Sequence, residues 1–241
     1  MKKILVVLII GLIMITGSCQ KEVRVEKSEF KLVNGIFMHK DKQFTGVVYE
    51  NYTDGTLKSE WTLLNGIEHG PSTSFYSNGK TDEKITWKDG EKDGPYEKFY
   101  NNGQLEVKAQ HIFNEKDGYF ETFYKDGKPW RKGYYDNGLL EGTIEEYYQN
   151  GNMKISITWS DNKKEGPFQE FYENGQIKQK GNVINQRSEG KGFGWYENGQ
   201  MSFEESYKKG KLDGKLIWWH KNGQVDREST YKNGKCISGD C

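Results

Sequence analysis

Residues Asn150-Gly151-Asn152-Met153-Lys154-Ile155-Ser156-Ile157-Thr158-Trp159-Ser160-Asp161-Asn162-Lys163-Lys164-Glu165-Gly166-Pro167-Phe168-Gln169-Glu170-Phe171-Tyr172 contain the unit from which the chain is built. Met153, Ile155, Ile157 and Trp159 alternate with Lys154, Ser156 and Thr158. Period two with one polar side is the pattern of a strand covered on one face. Asp161–Gly166 reads as a glycine-containing turn and Pro167–Tyr172 as a second strand. Asn150-Gly151 opens the unit and Asn174-Gly175 follows it. Such dipeptides favour tight hairpin turns, in which both central residues take positive φ. The unit is a β-hairpin with no room for a helix.

The dipeptide recurs at Asp54-Gly55, Asn78-Gly79, Asn102-Gly103, Asp126-Gly127, Asn150-Gly151, Asn174-Gly175, Asn198-Gly199 and Asn222-Gly223, always 24 residues apart. A second glycine column follows at Gly70, Gly94, Gly118, Gly142, Gly166, Gly190 and Gly214, with Gly46 in the same phase, and a third at Gly66, Gly90, Gly138, Gly210 and Gly234. A fixed period of this length marks a quasi-one-dimensional array in which each hairpin depends on its neighbours. The expected fold is all-β, an elongated repeat array of antiparallel β-hairpins forming one long twisted sheet. Stacked copies roughly 10 Å apart make that sheet about 75–80 Å long.

Second strands end in aromatic pairs, Phe75-Tyr76, Phe99-Tyr100, Phe123-Tyr124, Tyr147-Tyr148, Phe171-Tyr172 and Trp195-Tyr196, with Asn51-Tyr52 first and Trp219-His220 last. Adjacent strand residues face opposite sides, so the Tyr column and the Phe/Trp column line opposite faces. Trp87, Tyr135, Trp159, Tyr207 and Tyr231 share another phase. Cross-strand packing accounts for most of these rings, whereas a column left exposed is a binding groove. The candidate binding residues are Tyr76, Tyr100, Tyr124, Tyr148, Tyr172 and Tyr196, together with Trp130, Tyr134, Trp218 and Trp219. Trp130 and Tyr134 stand where other copies are polar.

The pattern Phe171-Tyr172-Glu173-Asn174-Gly175-Gln176-Ile177-Lys178, repeated as Trp195-Tyr196-Glu197-Asn198-Gly199-Gln200-Met201, resembles the variant MORN repeat and is most similar to bacterial proteins of the YwqK antitoxin family. Phe44-Thr45-Gly46-Val47-Val48-Tyr49 resembles that family's opening segment. The resemblance covers about residues 34–235. It implies an extended sheet of hairpins that contacts proteins and, in some members, membranes, and the antitoxin label implies neutralising a toxin by binding it. The copies depart at Asn51, at His220 and at Asn185-Gln186-Arg187-Ser188, where the middle glycine is missing.

Lys2 and Lys3, the apolar run Ile4–Ile15 and Thr16-Gly17-Ser18-Cys19 read as a secretory signal, since twelve residues fall short of the roughly 20 that span a bilayer. Gly17-Ser18-Cys19 resembles the lipobox of bacterial lipoproteins, with Thr16 where leucine is usual, which implies acylation of Cys19 and a place in the cell envelope. The expected organisation is a signal over 1–18, a lipidated N-terminus and tether over 19–30, an opening hairpin plus eight repeats over 31–235, and a tail over 236–241. Cys236 and Cys241 either close a small loop, as export allows, or stand as two free thiols.

Among 241 residues, 35 basic side chains face 35 acidic ones, 34% are hydrophobic and 14% aromatic. The balance argues against nucleic acid as a partner, and the aromatics against disorder. Gly190-Lys191-Gly192-Phe193-Gly194 lacks the strand-to-helix context of a phosphate loop and reads as turn plus strand. His39, His69, His111 and His220 have no metal-ligand spacing, and His111 and His220 fill aromatic phases. Turns such as Asp89-Gly90-Glu91-Lys92-Asp93-Gly94 lack the alternating ligands of a calcium loop and read as solvated. The expectation is a non-catalytic, membrane-anchored protein without metal or cofactor. It binds a protein partner, a toxin in the antitoxin reading. The alternative is a cell-envelope glycan stacked on the aromatic rings.

Overall fold

The structure is a computed structural model that describes residues 23–241, so the signal and Cys19 lie outside it. Twenty-one strands form one open sheet. From Gly46–Asn51 to Lys235–Gly239, each strand pairs antiparallel with the next in the chain. Three second strands are split in two, at Lys116/Gly118, Ser188/Gly190 and Leu212/Gly214, which leaves eighteen lateral positions. At strand spacing these span about 80 Å.

The two hairpin ends are built differently. In Tyr76–Lys80, the Tyr76 N–H donates to the Lys80 carbonyl (2.8 Å) and the Gly79 N–H to the Tyr76 carbonyl (2.9 Å). Only Gly79 of the Asn78-Gly79 pair has positive φ, at 78°. This is a type I turn closed by a glycine bulge, not the two-residue turn expected from the dipeptide. Asn78 keeps an ordinary φ and uses its side chain instead: Oδ1 accepts from the Lys80 N–H and Nδ2 donates to the Asn101 carbonyl of the next repeat.

The two-residue turns lie at the opposite edge, in the third glycine column. Asn65-Gly66 (52°, 80°), Asp89-Gly90 (53°, 85°) and Asn137-Gly138 (47°, 78°) have positive φ at both centres. Asn185 and Gln186 adopt the same turn at 50° and 61°, and Val183 still faces Ser188, so the missing glycine leaves that hairpin regular. The stretch expected as a long turn contributes only Asp161 and Asn162, and the strand resumes at Lys163.

Both edges are stitched from repeat to repeat. At the aromatic edge the hydroxyls of Tyr52, Tyr76, Tyr100, Tyr124, Tyr148, Tyr172 and Tyr196 donate to the carbonyls of Phe75, Phe99, Phe123, Tyr147, Phe171, Trp195 and Trp219, at 2.6–2.9 Å. At the other edge the Gly90, Asn114, Gly138, Asn162, Gly210 and Gly234 N–H groups donate to the carbonyls of Glu68, Lys92, Lys116, Leu140, Ser188 and Leu212. Carboxylates of Asp117, Glu141, Glu165, Glu189 and Asp213 accept from the N–H of the first residue in the following turn. Acidic side chains in this phase, grouped by sequence with the solvated turns, thus serve the ladder.

The core is a row along one face of this single layer. Tyr96, Ala109, Phe120, Gly133, Ile144, Ile157 and Phe168 follow one another across neighbouring strands. Ile144 is 1% exposed. A Cβ on Gly133 would lie 2.2 Å from Ile144 Cδ1 and 3.1 Å from Phe120 Cε1, so glycine there makes room for its neighbours. Beside the row, Lys116 and Lys164 lie over the rings of Tyr135 and Trp159 at 5.4 and 5.9 Å, their stems shielding apolar surface.

Both sheet ends are closed by chain that the sequence assigned to tether and tail. Arg24–Glu26 pairs parallel with Val47–Tyr49, and Phe30–Val33, Ile36–His39 and Lys42–Gln43 form a small separate sheet. Phe30 and Phe37 pack on the cluster of Val25, Phe44, Val48, Trp61 and Leu63. Residues 24–30 therefore belong to the folded body, because the first repeat has no preceding repeat to cover Trp61 and Leu63. At the far end Lys235–Gly239 is the last strand rather than a tail, and Cys236 is disulfide-bonded to Cys241. The Ser229 hydroxyl, 1% exposed in its residue, donates to the Asp240 carbonyl at 2.7 Å.

Tyr124→Phe removes one rung of the aromatic edge and keeps the ring. The expected loss is about 1 kcal/mol of unfolding free energy, measured by denaturant melts, because a half-buried carbonyl loses its side-chain donor.

Candidate functional site

The two faces differ in chemistry. Opposite the core row, Lys84 faces Glu97 (3.5 Å) and Lys132 faces Glu145 (2.8 Å), and Lys108 is in register with Glu121. Next to this charged row, Pro71 faces Thr86 and Pro167 faces Asn182. The same positions hold Tyr119 facing Tyr134, 51% and 48% exposed. Two rings thus stand on a surface otherwise made of small and charged side chains.

Other exposed apolar side chains are close by in the chain. Among the described residues, six of the fourteen large exposed hydrophobics fall between 112 and 139: Ile112, Phe113, Tyr119, Trp130, Tyr134 and Leu139. Phe113, 65% exposed, has φ 48° in a turn where other copies place Asn, Asp or Lys. Positive φ is uncommon for a bulky residue. Asp93, in the phase that elsewhere supports the turn, lies instead 4.0 Å from Lys88.

The electrostatics around Tyr134 are tightly coupled. Lys132 donates to Glu145 and its ammonium lies 5.2 Å from the Tyr147 ring, and the Tyr147 hydroxyl donates to Glu145. Hydrogen bonding to Glu145 raises the Lys132 pKa, and the Lys132 hydrogen bond lowers that of Glu145. Burial, then Glu121, raises the Tyr119 pKa. The rings are bordered by a row of lysines and glutamates in which Lys84–Glu97 and Lys132–Glu145 are ion-paired.

The sequence-derived candidates separate into three groups. Tyr76, Tyr100, Tyr124, Tyr148, Tyr172 and Tyr196 are half-buried, with their hydroxyls engaged in the ladder. Trp130 and Tyr134 are exposed, but Trp130 sits at a bulge with its ring 6.2 Å from Tyr124, while Tyr134 pairs with Tyr119. Trp218 and Trp219 are half-buried, and Trp218 lies 5.3 Å from Phe203 with Arg227 over it at 5.8 Å. Ile112, Phe113, Tyr119 and Leu139 were missed; Phe113 was legible as the aromatic in a turn phase of Asn and Asp.

His111 occupies the aromatic phase as expected, 7% exposed and edge-on to Tyr96 at 5.2 Å. His220 pairs with Asp226 at 3.1 Å. No three His, Cys, Asp or Glu side chains among the described residues converge to hold a metal ion. No helix among them is long and apolar enough to cross a membrane.

Family models match a MORN repeat variant seven times, at residues 68–89, 92–112, 116–137, 140–161, 164–185, 188–209 and 212–233. No curated protein matches the chain. Among solved structures, one of TcdB2-TccC3-TEV is similar at 10% identity, over 80% of this chain and 14% of the other, with a TM-score of 0.23.

His111 supplies a pH test of the core. Burial, then Lys92 and Lys116, depresses its pKa below 6.5, against opposing pulls from Glu83 and Glu115. The unfolded chain therefore takes up the proton first as pH falls. Stability is full above about pH 7 and declines below about 6.5 until the folded-state pKa is reached. Urea midpoints at pH 8, 6 and 5 should show the decline, and His111→Phe should flatten that part of the profile.

Proposed function

The chain belongs to the MORN repeat variant family, and from that premise we propose that it is a non-catalytic, membrane-anchored binding protein whose partner is another protein. The observation that carries this reading is the concentration of exposed apolar side chains at residues 112–139, centred on Tyr119 and Tyr134. Exposed apolar surface that serves neither core nor ladder marks interaction sites, and Tyr and Trp are favoured anchors there. The Lys/Glu row beside them suits a rim that sets register more than affinity. In its sharpest form the proposal makes the partner a toxin held inactive by stoichiometric binding. Anchoring is assigned to acylated Cys19, and the Cys236–Cys241 disulfide supports an exported location, because such bonds are rare in reducing compartments.

Affinity capture of the full-length protein from its own membranes, with mass spectrometry, tests the partner. Tyr119→Ser with Tyr134→Ser should leave stability within about 0.5 kcal/mol, both side chains being exposed, and should abolish recovery of one stoichiometric protein. Recovery of that protein unchanged moves the site elsewhere, and envelope polysaccharide recovered in its place favours the glycan reading. Detergent partitioning tests the anchor: Cys19→Ser should move the protein to the aqueous phase, and retention in the detergent phase removes acylation at Cys19.

A further inference from the structure

We propose that the small N-terminal sheet is a membrane-docking cap that holds the first end of the array against an anionic lipid surface. This rests on the lipid-anchor reading above for proximity, and on the cap's own surface for contact. Folded structure begins close to Cys19: Arg24, the first residue of the sheet, is five positions further on. Fully extended, five residues reach at most about 17 Å. An acyl chain on Cys19 therefore brings the cap to the headgroups, whereas repeats at the far end of an array about 80 Å long need not approach them.

The cap's exposed surface suits that position. Leu32 and Val33, 63% and 49% exposed, adjoin the hairpin turn Asn34-Gly35, and Val23 at the start of the body is 56% exposed. Lys31 is exposed beside this tip, and Lys40 and Lys42 are exposed at the turn that closes the other end of Ile36–His39. Lys31 faces Asp41 at 3.7 Å in open solvent, and neither Lys40 nor Lys42 makes an ion pair among the described residues. An apolar tip with cations set back from it on the same small sheet suits a bilayer interface, the apolar groups entering the acyl boundary and the cations meeting anionic headgroups.

Orientation follows because the cap is fixed to the array. The Phe37 N–H donates to the Gly66 carbonyl at 2.8 Å, and the Phe30 ring lies 5.1 Å from Phe44. Docking the cap thus positions the whole sheet and keeps Tyr119 and Tyr134 several strand spacings from the attachment point.

The test is hydrogen–deuterium exchange on the full-length protein purified from membranes and reconstituted in vesicles of 70% phosphatidylethanolamine and 30% phosphatidylglycerol, on the order of a native anionic fraction. Amides of residues 31–43 should exchange about tenfold more slowly than in detergent, with residues 212–241 unchanged. Leu32→Ser, Val33→Ser, Lys40→Glu and Lys42→Glu combined should lose that slowing while the protein still sediments with the vesicles. All four side chains are exposed, so the fold is retained, and the Phe37 amide in detergent reports it. Unslowed exchange at 31–43 in sedimenting wild-type protein overturns docking and leaves the anchor standing. The mass of the Cys19 peptide is read from the same sample. A non-acylated Cys19 with slowed exchange at 31–43 overturns the anchor and supports the cap as the contact.

Discussion

A sheet one layer thick cannot hide its strand ends beneath a second layer, so whatever holds those ends in place must come from adjacent repeats. The tyrosine hydroxyl ladder meets that requirement. Each ring leaves the end of one hairpin and donates to the carbonyl at the same place in the next, twenty-three residues ahead. Because the bond spans a whole repeat, it fixes the period: an insertion in one copy would break the rungs on both sides. The turn N–H groups and the carboxylates at the opposite edge impose the same condition. Two zipped edges explain why the register runs without insertion through eight copies.

With edges held, the interior needs little aliphatic mass. One row of side chains is buried by its neighbours on the same face, and aromatic rings with lysine stems complete the cover. The glycines divide by task. Gly79 and its equivalents close bulged turns at positive φ, whereas Gly133 has ordinary φ and is small because Ile144 and Phe120 occupy its place. The sheet remains open, so its two ends need separate protection against pairing with other chains. A short parallel strand with a small sheet covers one, and a short disulfide-tied strand ends the other.

A uniform array makes departures conspicuous. The Pro/Thr positions give way to Tyr119 and Tyr134, and the Asn of a turn gives way to Phe113, within one stretch of the array. Neither change improves the ladder or the core, and both expose apolar surface. That distinguishes this stretch from the rest of the scaffold more sharply than any count of aromatic residues, since most rings here are packing.

Period, hairpin and all-β class were determined by the sequence, because a 24-residue interval with alternating strands allows little else. The opposite facing of the Tyr and Phe/Trp columns followed from alternation alone. The turn chemistry did not: Asn-Gly satisfies both a two-residue turn and a bulged type I turn, and only the register of the flanking strands selects between them. Likewise, tyrosine in a column reads equally as packing, ladder or binding groove, and the choice depends on a carbonyl in the next repeat. The folded state of residues 24–30 was hidden because they lack the repeat pattern and pack against a cluster that includes Trp61 and Leu63. Local propensity and period are properties of the chain itself. Which hydroxyls are engaged, which rings remain in solvent and what closes the two ends are decided only when neighbouring repeats meet.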